Sequence, residues 1–244
     1  MKAHVFTYIL VISALAGASL ACQALSSIPA GSTSSTQEAN APSIPQVIAS
    51  SIPSVGGSSI LQDDFSDSGS GWGTGTDTDS SVEYVDGGLN MKIFKANFFT
   101  WSNPGKETYD GTHLEVTVKN QNGKTRTGFG VMCNQQVTDS SYYYFAITPV
   151  GEYVIGKSAV GKQDVFLTNN DAWGTSDLIA KNAPSYRIGA DCAPGKLVLY
   201  VDGHQIDSAS DTEYSKGNVG LFLWSGDDPT GEVTYDDFVM TALK

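Results

Sequence analysis

From residue 61 onward, apolar and polar side chains alternate along the chain with a period of two residues. Leu114, Val116 and Val118, for example, alternate with polar neighbours before the turn-forming stretch NQNG at 120–123. This period places successive side chains on opposite faces of a β-strand, whereas a helix repeats at about 3.6 residues. Helical stretches long enough to connect parallel strands are missing from the pattern. The alternation therefore predicts an all-β domain of antiparallel strands.

Turn signals divide this region into about a dozen strand-like segments. Gly87, Gly151 and Gly195 lie between such segments, where glycine accepts the positive φ of a tight turn. Residues 219–224 carry bulky side chains at both parities, which predicts a central strand that is buried on both faces or has one face open to a ligand groove. Two antiparallel sheets stacked face to face are expected. The predicted strands are residues 82–85, 89–94, 114–118, 129–133, 142–148, 153–158, 185–192, 196–202, 204–208, 218–225 and 232–242.

The first sixty residues have a different character. Residues 1–22 comprise a basic residue, an apolar run and small residues, which is typical of an export signal of the lipoprotein type. Residues 23–60 are rich in Ser, Pro and Ala and carry Glu38 as their only charge, so they predict a disordered linker. The folded domain is expected at 61–244.

The end of the leader, Ser19-Leu20-Ala21-Cys22, resembles a bacterial lipobox. Lipidation of Cys22 would make it the mature N-terminus and anchor the protein in a membrane, since two acyl chains together give stable attachment. Ordinary cleavage of the signal and an uncleaved anchor are the alternatives. The expected location is the cell membrane, with the domain exported to the extracellular side or the periplasm.

Two further cysteines, Cys133 and Cys192, each end an apolar strand-like run. Export to an oxidising compartment favours a disulfide between them, and two buried free thiols are the alternative. Neither cysteine has the Cys/His spacing of a zinc site.

The formal net charge is −12, and all of it falls on the domain because Lys2 and Glu38 cancel before Asp63. A domain of this charge repels phosphate backbones, so no nucleic-acid partner is expected. Acidic residues at this density usually form a solvated surface. Alternatively, some of them converge on a calcium ion, which prefers several oxygen ligands.

Several motifs in sequence order resemble the bacterial concanavalin A-like lectin and glucanase domains, which are laminin-G-like jelly rolls. The resemblance covers most of residues 60–244 and implies an antiparallel two-sheet jelly-roll sandwich. This fold hosts lectins, carbohydrate-binding modules, hydrolases and adhesion modules, so the resemblance does not select among them. The motifs are DDFS at 63–66, GW at 71–72, GFGVMC at 128–133, YYYF at 142–145, GEYVIGK at 151–157, LVLYVDG at 197–203, GNVGLF at 217–222 and YDDF at 235–238.

Catalytic residues of the related glucanases are not found in the sequence. Those enzymes carry paired carboxylates on one strand in an E-x-D-x-(x)-E arrangement, and the nearest sets here are Glu83 with Asp86 and Glu232 with residues 236–237. The domain also resembles 3-keto-disaccharide hydrolase domains, whose catalytic residues do not map onto this chain position by position. His113 and His204 are expected in solvated polar positions, and the Gly-x-Ser-x-Gly motif of serine hydrolases is missing.

Carbohydrate binding requires exposed aromatic platforms beside polar groups. Trp173 with Asp171 in a polar loop, and Trp101 at the end of a short apolar run, are the candidate ligand-binding residues, with packing as the alternative. Packing is the expected role of Trp72, Trp224 and residues 142–144.

The family resemblance also implies a structural calcium between the first and last strands. Asp236 matches the family's closing aspartate, and Asp63 or Asp64 on the first strand would complete the metal site.

The sequence therefore predicts a non-catalytic surface lipoprotein module that binds carbohydrate or another extracellular or envelope partner. The alternatives are a glycoside hydrolase with an unrecognised site and a structural, self-assembling envelope protein.

Overall fold

A computed structural model of the protein describes residues 59–123 and 125–243. The predicted signal at 1–22, including Cys22, lies outside these residues, and so does nearly all of the predicted linker at 23–60. Within the two ranges there is no helix with the length and apolar character needed to cross a membrane.

The described chain is built from strands joined by turns. The first nine strands are β1 (Ser59–Asp63), β2 (Gly75–Thr76), β3 (Ser80–Val85), β4 (Gly88–Ile93), β5 (Phe99–Ser102), β6 (Tyr109–Asp110), β7 (Thr112–Asn120), β8 (Gly128–Gln135) and β9 (Tyr142–Ile147). They are followed by β10 (Glu152–Ser158), β11 (Val165–Phe166), β12 (Gly174–Thr175), β13 (Ser185–Ala193), β14 (Lys196–Val201), β15 (His204–Ala209), β16 (Lys216–Trp224) and β17 (Gly231–Ala242).

These strands form two antiparallel sheets. The first sheet has the order β15-β14-β13-β7-β17-β4-β3-β2, and β1 also pairs with β17. The second has the order β11-β10-β9-β8-β16-β5, with β12 paired to β10 and β6 to β16. Strands distant in sequence are neighbours in both sheets, as in β17 beside β7 and β16 beside β8. The predicted antiparallel two-sheet sandwich is therefore confirmed.

The core lies between the two sheets and follows the alternation seen in the sequence. In β7, Leu114, Val116 and Val118 are fully buried, while Glu115 and Thr117 face outward. In the second sheet, too, alternate side chains along each strand point into the core. Its inward side chains include Phe129, Val131, Tyr143, Phe145, Ile147, Ile155, Val219, Leu221 and Leu223.

Two contacts tie the sheets together across this core. Cys133 of β8 and Cys192 of β13 form the predicted disulfide, with their Cα atoms 6.5 Å apart. Tyr235 of β17 is fully buried, and its hydroxyl accepts the N–H of Gly130 at 3.1 Å and donates to the carbonyl of Phe222 in the opposite sheet. Because the hydroxyl is satisfied, burying it carries little desolvation penalty.

The disulfide is expected to contribute strongly to stability. Replacing both Cys133 and Cys192 by alanine should lower the free energy of unfolding by about 4 kcal/mol, because the unfolded chain loses a closed loop of 59 residues. Urea unfolding followed by tryptophan fluorescence measures this difference. A Cys22→Ala variant is the matched control and should unfold at the parent's urea midpoint; equal stability of the double variant and the parent would contradict the prediction.

Candidate functional site

The outer face of the second sheet carries a second apolar cluster, separate from the core. Its buried members alternate in sequence with the core residues of β8, β9, β10 and β16, so these strands are apolar on both faces. This arrangement confirms the predicted two-sided burial of residues 219–224. Buried members are Met132, Tyr144, Ala146, Val154 and Phe222, and Phe99, Tyr142, Phe166 and Trp173 pack against them.

A cleft of about 330 Å³, which we call the apolar cleft, opens in this face. Aromatic rings from β5, β9, β11, β16 and the loop before β12 form most of its surface. An exposed concavity lined by aromatic rings is uncommon on a soluble domain and is typical of a ligand site. Its lining residues are Phe99, Gly128, Tyr142, Tyr144, Ala146, Ser158, Asp164, Phe166, Trp173, Phe222 and Trp224.

The aromatic rings are arranged in two stacked groups. Trp173 and Trp224 are stacked with their ring centroids 5.9 Å apart and their planes 19° from parallel. Phe99 stacks on Phe222 at 5.3 Å and on Trp101 at 5.8 Å. Rings held against one another in this way lose little further conformational freedom when a ligand binds.

Small residues leave room for these rings. A Cβ atom added to Gly128 would lie 3.1 Å from the ring of Trp224 and 3.4 Å from that of Trp173. A Cβ atom at Gly156 would lie 2.5 Å from the ring of Tyr144. The lack of a side chain at these two glycines therefore leaves the space that the rings of Trp173, Trp224 and Tyr144 occupy beside the apolar cleft.

Polar groups lie among the rings of the apolar cleft. Burial, with a smaller contribution from the charge of Asp164, raises the pKa of Tyr142 to about 12. The same two causes raise the pKa of Tyr144. Both phenols are therefore neutral at physiological pH and can donate as well as accept hydrogen bonds. Together with Ser158 and the carboxylate of Asp164, they give this aromatic surface polar contacts.

A second concavity of about 490 Å³, the polar cleft, adjoins the first. The two share Trp173 and Trp224, so this stacked pair is a common wall. In the polar cleft, Arg126 Nε donates to Glu152 Oε2 at 3.0 Å, and a second N–H of the guanidinium binds the other carboxylate oxygen. The remaining lining residues are Thr125, Thr148, Gly226, Asp227 and Asp228.

Trp173 is held in place by a constrained loop. Asn169, Asn170 and Asp171 all adopt left-handed backbone conformations, with φ between 53° and 62°. Asx side chains tolerate this region better than other non-glycine residues. The carboxylate of Asp171 accepts the N–H of Phe166 at 2.8 Å, which closes the loop. Asp171 does not line either cleft, so its position favours a structural role over the predicted ligand contact.

The other predicted binding residue, Trp101, lies on the edge strand β5 with 49% of its surface exposed. It faces a separate open depression bordered by residues 73–77 and touches the apolar cleft only through Phe99. Of the two predicted tryptophans, the structure therefore brings Trp173 alone into the clefts. Ligand contact by Trp173, Trp101 or Asp171 stays a prediction.

Sequence reasoning assigned Trp224 and residues 142–144 to packing. Tyr143 is fully buried, as that role requires, and Trp224 is half-buried and packs against Trp173 while it also forms the common wall. Tyr142 and Tyr144 pack in the second cluster and line the apolar cleft as well. Strand parity carried the relevant signal, because Tyr142, Tyr144 and Trp224 alternate with core residues.

The predicted calcium ligands are occupied by protein contacts. Asp63 accepts the N–H of Phe65 at 2.8 Å and the indole N–H of Trp72 at 2.9 Å, while Asp236 binds Lys119 Nζ at 2.9 Å. Asp63 and Asp64 line a shallow cleft together with Asp237 rather than Asp236. Among residues 59–123 and 125–243, no three His, Cys, Asp or Glu side chains are grouped to hold a metal. These contacts do not fit an ion at that point, and the calcium site stays a prediction.

The expectation of a solvated His113 is wrong. His113 is only 8% exposed, and its Nδ1 lies 2.6 Å from Asp191 while Nε2 lies 3.4 Å from Glu115. Tyr200 donates to the second oxygen of Asp191 at 3.0 Å. Burial opposes protonation of His113, but the hydrogen bonds to Asp191 and Glu115 outweigh it and raise its pKa to about 9. His204 is exposed, as expected.

The histidine network lies on the outer face of the first sheet, away from the clefts. Arg187 of β13 donates to Glu115 at 3.1 Å, and Lys196 of β14 lies 3.6 Å from Asp191. Hydrogen bonding from His113 lowers the pKa of Glu115. Burial acts to raise the pKa of Asp191, yet the bond and charge of His113 lower it overall. The network therefore joins β7, β13 and β14 by charge pairing.

The central strands of the second sheet offer no carboxylate pair. Strands β8, β9 and β16 contain neither aspartate nor glutamate. Carboxylates appear only at the margins of the clefts, in Glu152, Asp164, Asp227 and Asp228. Glu152 is held by Arg126 in an ion pair.

Solved structures share the two-sheet architecture. A carbohydrate-binding module of Bacillus subtilis aligns with a TM-score of 0.56 at 14% identity, over 71% of this chain and 96% of the module. A Bacillus subtilis protein of unknown function with a galectin-like fold gives 0.57 at 11% identity, over 76% and 96% of the two chains. A β-glucanase of Bacillus licheniformis gives 0.50 at 14% identity, over 78% and 100%.

The chain has the concanavalin A-like jelly-roll fold. This confirms the fold class predicted from the sequence. No protein-family model and no curated protein sequence matches the chain, and identities of 11–14% to solved structures establish the fold alone.

The pKa of His113 predicts a pH-dependent stability. The folded-state pKa of about 9 lies above the ordinary value of 6.5, so the stabilisation is fully present below pH 6.5 and is lost as the pH rises through 9. Allowing for partial solvent screening, the loss should be about 2 kcal/mol. Urea unfolding at pH 6.5 and pH 9.5 measures it.

A His113→Gln variant should lose most of this dependence between pH 6.5 and 9.5, whereas a His204→Gln variant should retain it because His204 is exposed. Parallel pH profiles for the parent and His113→Gln would show that His113 is not the responsible group.

Proposed function

We propose that this protein is a non-catalytic carbohydrate-binding module that holds its ligand in the apolar cleft. The observation that carries the proposal is the concavity of about 330 Å³ on the outer face of the second sheet, walled by stacked aromatic rings and provided with neutral hydroxyls and one carboxylate. This surface is mainly aromatic and retains polar partners at defined positions.

The chemistry of the cleft suits a sugar ring. A pyranose presents C–H groups on its faces and hydroxyls around its rim, so it stacks on aromatic rings and hydrogen-bonds at its edge. Trp224 and Trp173 supply the stacking faces. The hydroxyls of Tyr142 and Ser158 and the carboxylate of Asp164 supply rim partners.

The structural neighbours support the same ligand class. Two of them are named as a carbohydrate-binding module and a β-glucanase, and the fold is shared across most of their length. Binding rather than hydrolysis is supported by strands β8, β9 and β16, which carry no aspartate or glutamate, whereas most glycosidases use a pair of carboxylates.

Export and membrane anchoring through Cys22 remain part of the proposal. The leader and lipobox at the N-terminus support them, as does the Cys133–Cys192 disulfide, which forms readily outside the cytoplasm. Triton X-114 partitioning and mass spectrometry of the mature N-terminus test this part. A protein that partitions into the aqueous phase with a free Cys22 would overturn the anchoring.

Removing either stacking face should weaken glycan binding. After a glycan array identifies the ligand, Trp224→Ala and Trp173→Ala should each weaken its binding more than tenfold, which is the loss of about 1.5–3 kcal/mol expected of a central aromatic contact. Isothermal titration calorimetry measures the affinities.

Phe94→Ala is the matched control, because Phe94 is an aromatic residue with 49% exposure that lines neither cleft. Its affinity should equal that of the parent. Unchanged affinity in both tryptophan variants, or equal loss in Phe94→Ala, would place the ligand elsewhere.

Hydrolysis is the competing function and is measured by release of reducing sugar from the bound glycan. We expect none. Turnover that disappears in Glu152→Gln or Asp164→Asn would identify an enzyme and overturn the assignment as a binding module.

A further inference from the structure

The polar cleft shares the Trp173–Trp224 wall with the apolar cleft, although its own lining is of different character. Each indole packs one face against the other and keeps one outer face, so the stacked pair can contact ligand groups on both sides. A chain of sugar residues that enters the apolar cleft and passes the tryptophans would place its next residue in the polar cleft.

We infer that the polar cleft is a second sugar subsite beside the one in the apolar cleft, and that it selects an uncharged or amine-bearing sugar residue over an anionic one. The inference deepens the proposed function and rests on it. It is drawn from the stacked tryptophans together with the charges of the residues that line the cleft.

Arg126 is the one basic residue among the described lining residues, and it is already paired. Its guanidinium binds both carboxylate oxygens of Glu152. An arginine engaged in this bidentate way is a poor partner for a ligand carboxylate, because the incoming anion has to compete with Glu152 at the same fork.

The two aspartates of the cleft have no cationic partner among the described residues. Asp228 accepts the backbone N–H of Arg126 at 3.2 Å, and Asp227 accepts the side-chain amide of Asn97 at 3.4 Å. Since Arg126 and Glu152 cancel, Asp227 and Asp228 leave the described lining residues of the cleft with an excess of two negative charges. Asp164 adds a third at the apolar cleft.

This excess determines which sugars fit. Carboxylate oxygens accept hydrogen bonds from sugar hydroxyls, so a neutral residue is bound without charge repulsion. A protonated amine is attracted by the same carboxylates and by the faces of the tryptophans. A uronate or sulfated residue would instead bring an anion beside the carboxylates of Asp227 and Asp228, a placement that lowers its affinity.

The test compares β-1,4-linked trimers of glucose, glucosamine and glucuronic acid, with the corresponding galactose series as a second set. Isothermal titration with the full-length protein at 50 mM salt should give the order amine-bearing or neutral above anionic, by at least tenfold. Raising the salt concentration to 0.5 M should reduce this ratio, because exposed charges are screened.

The double variant Asp227→Asn/Asp228→Asn should raise the affinity for the anionic trimer relative to the neutral one by about tenfold. Asparagine can still accept the N–H of Arg126, so the fold should be retained. Asp86→Asn/Asp110→Asn is the matched control, since it removes two exposed charges outside the clefts and should leave the ratio unchanged.

The outcomes separate the two proposals. An affinity that falls in Trp224→Ala but changes neither with ligand charge nor in the Asp227→Asn/Asp228→Asn variant would overturn the second subsite. The proposed function would then still stand. Preference for the anionic trimer would also overturn the inference. Failure of every glycan to bind, in the array and in both trimer series, would overturn the proposed function together with the subsite.

Discussion

Face-to-face contact between the two sheets is the constraint on which the rest of this structure depends. A jelly roll with strands paired across large sequence separations gains stability only when both inner faces are buried together. Here the contact is reinforced at two points, by the Cys133–Cys192 disulfide and by the hydroxyl of Tyr235, which reaches the backbone of β8 and β16. Both fix the second sheet relative to the first.

A second sheet held in this way can present apolar side chains on its far face. Isolated from the core, residues such as Phe222 and Tyr144 would favour collapse or aggregation. The strands that carry them are also anchored by Leu221 and Phe145, their core-facing neighbours. The apolar cleft is therefore built on strands whose positions are fixed by their core-facing side chains. This rigidity suits a site that recognises the shape of its ligand.

Local patterns predicted the fold well, while the site depends on contacts that no local pattern contains. Alternation at 114–118 and the glycine turns report strand position directly, because they involve neighbours in sequence. Trp224 meets Trp173 only through the register of β16 in the sheet and the shape of a loop fifty residues earlier. His113 was wrongly expected to be solvated because its outward parity was visible in the sequence, whereas its partner Asp191 on β13 was not.

The two halves of the tryptophan wall have different structural origins. Trp224 is the last residue of β16, which pairs with β8 and β5, so replacing its surroundings would disturb the sheet. Trp173 stands on the short connection between β11 and β12, which is closed by its own side-chain and backbone contacts. At the start of this connection Leu167 packs on the core and the buried Thr168 accepts the N–H of Ile155, so both have to stay. Residues 170–173 are the place to vary the tryptophan wall when the domain is engineered for new targets.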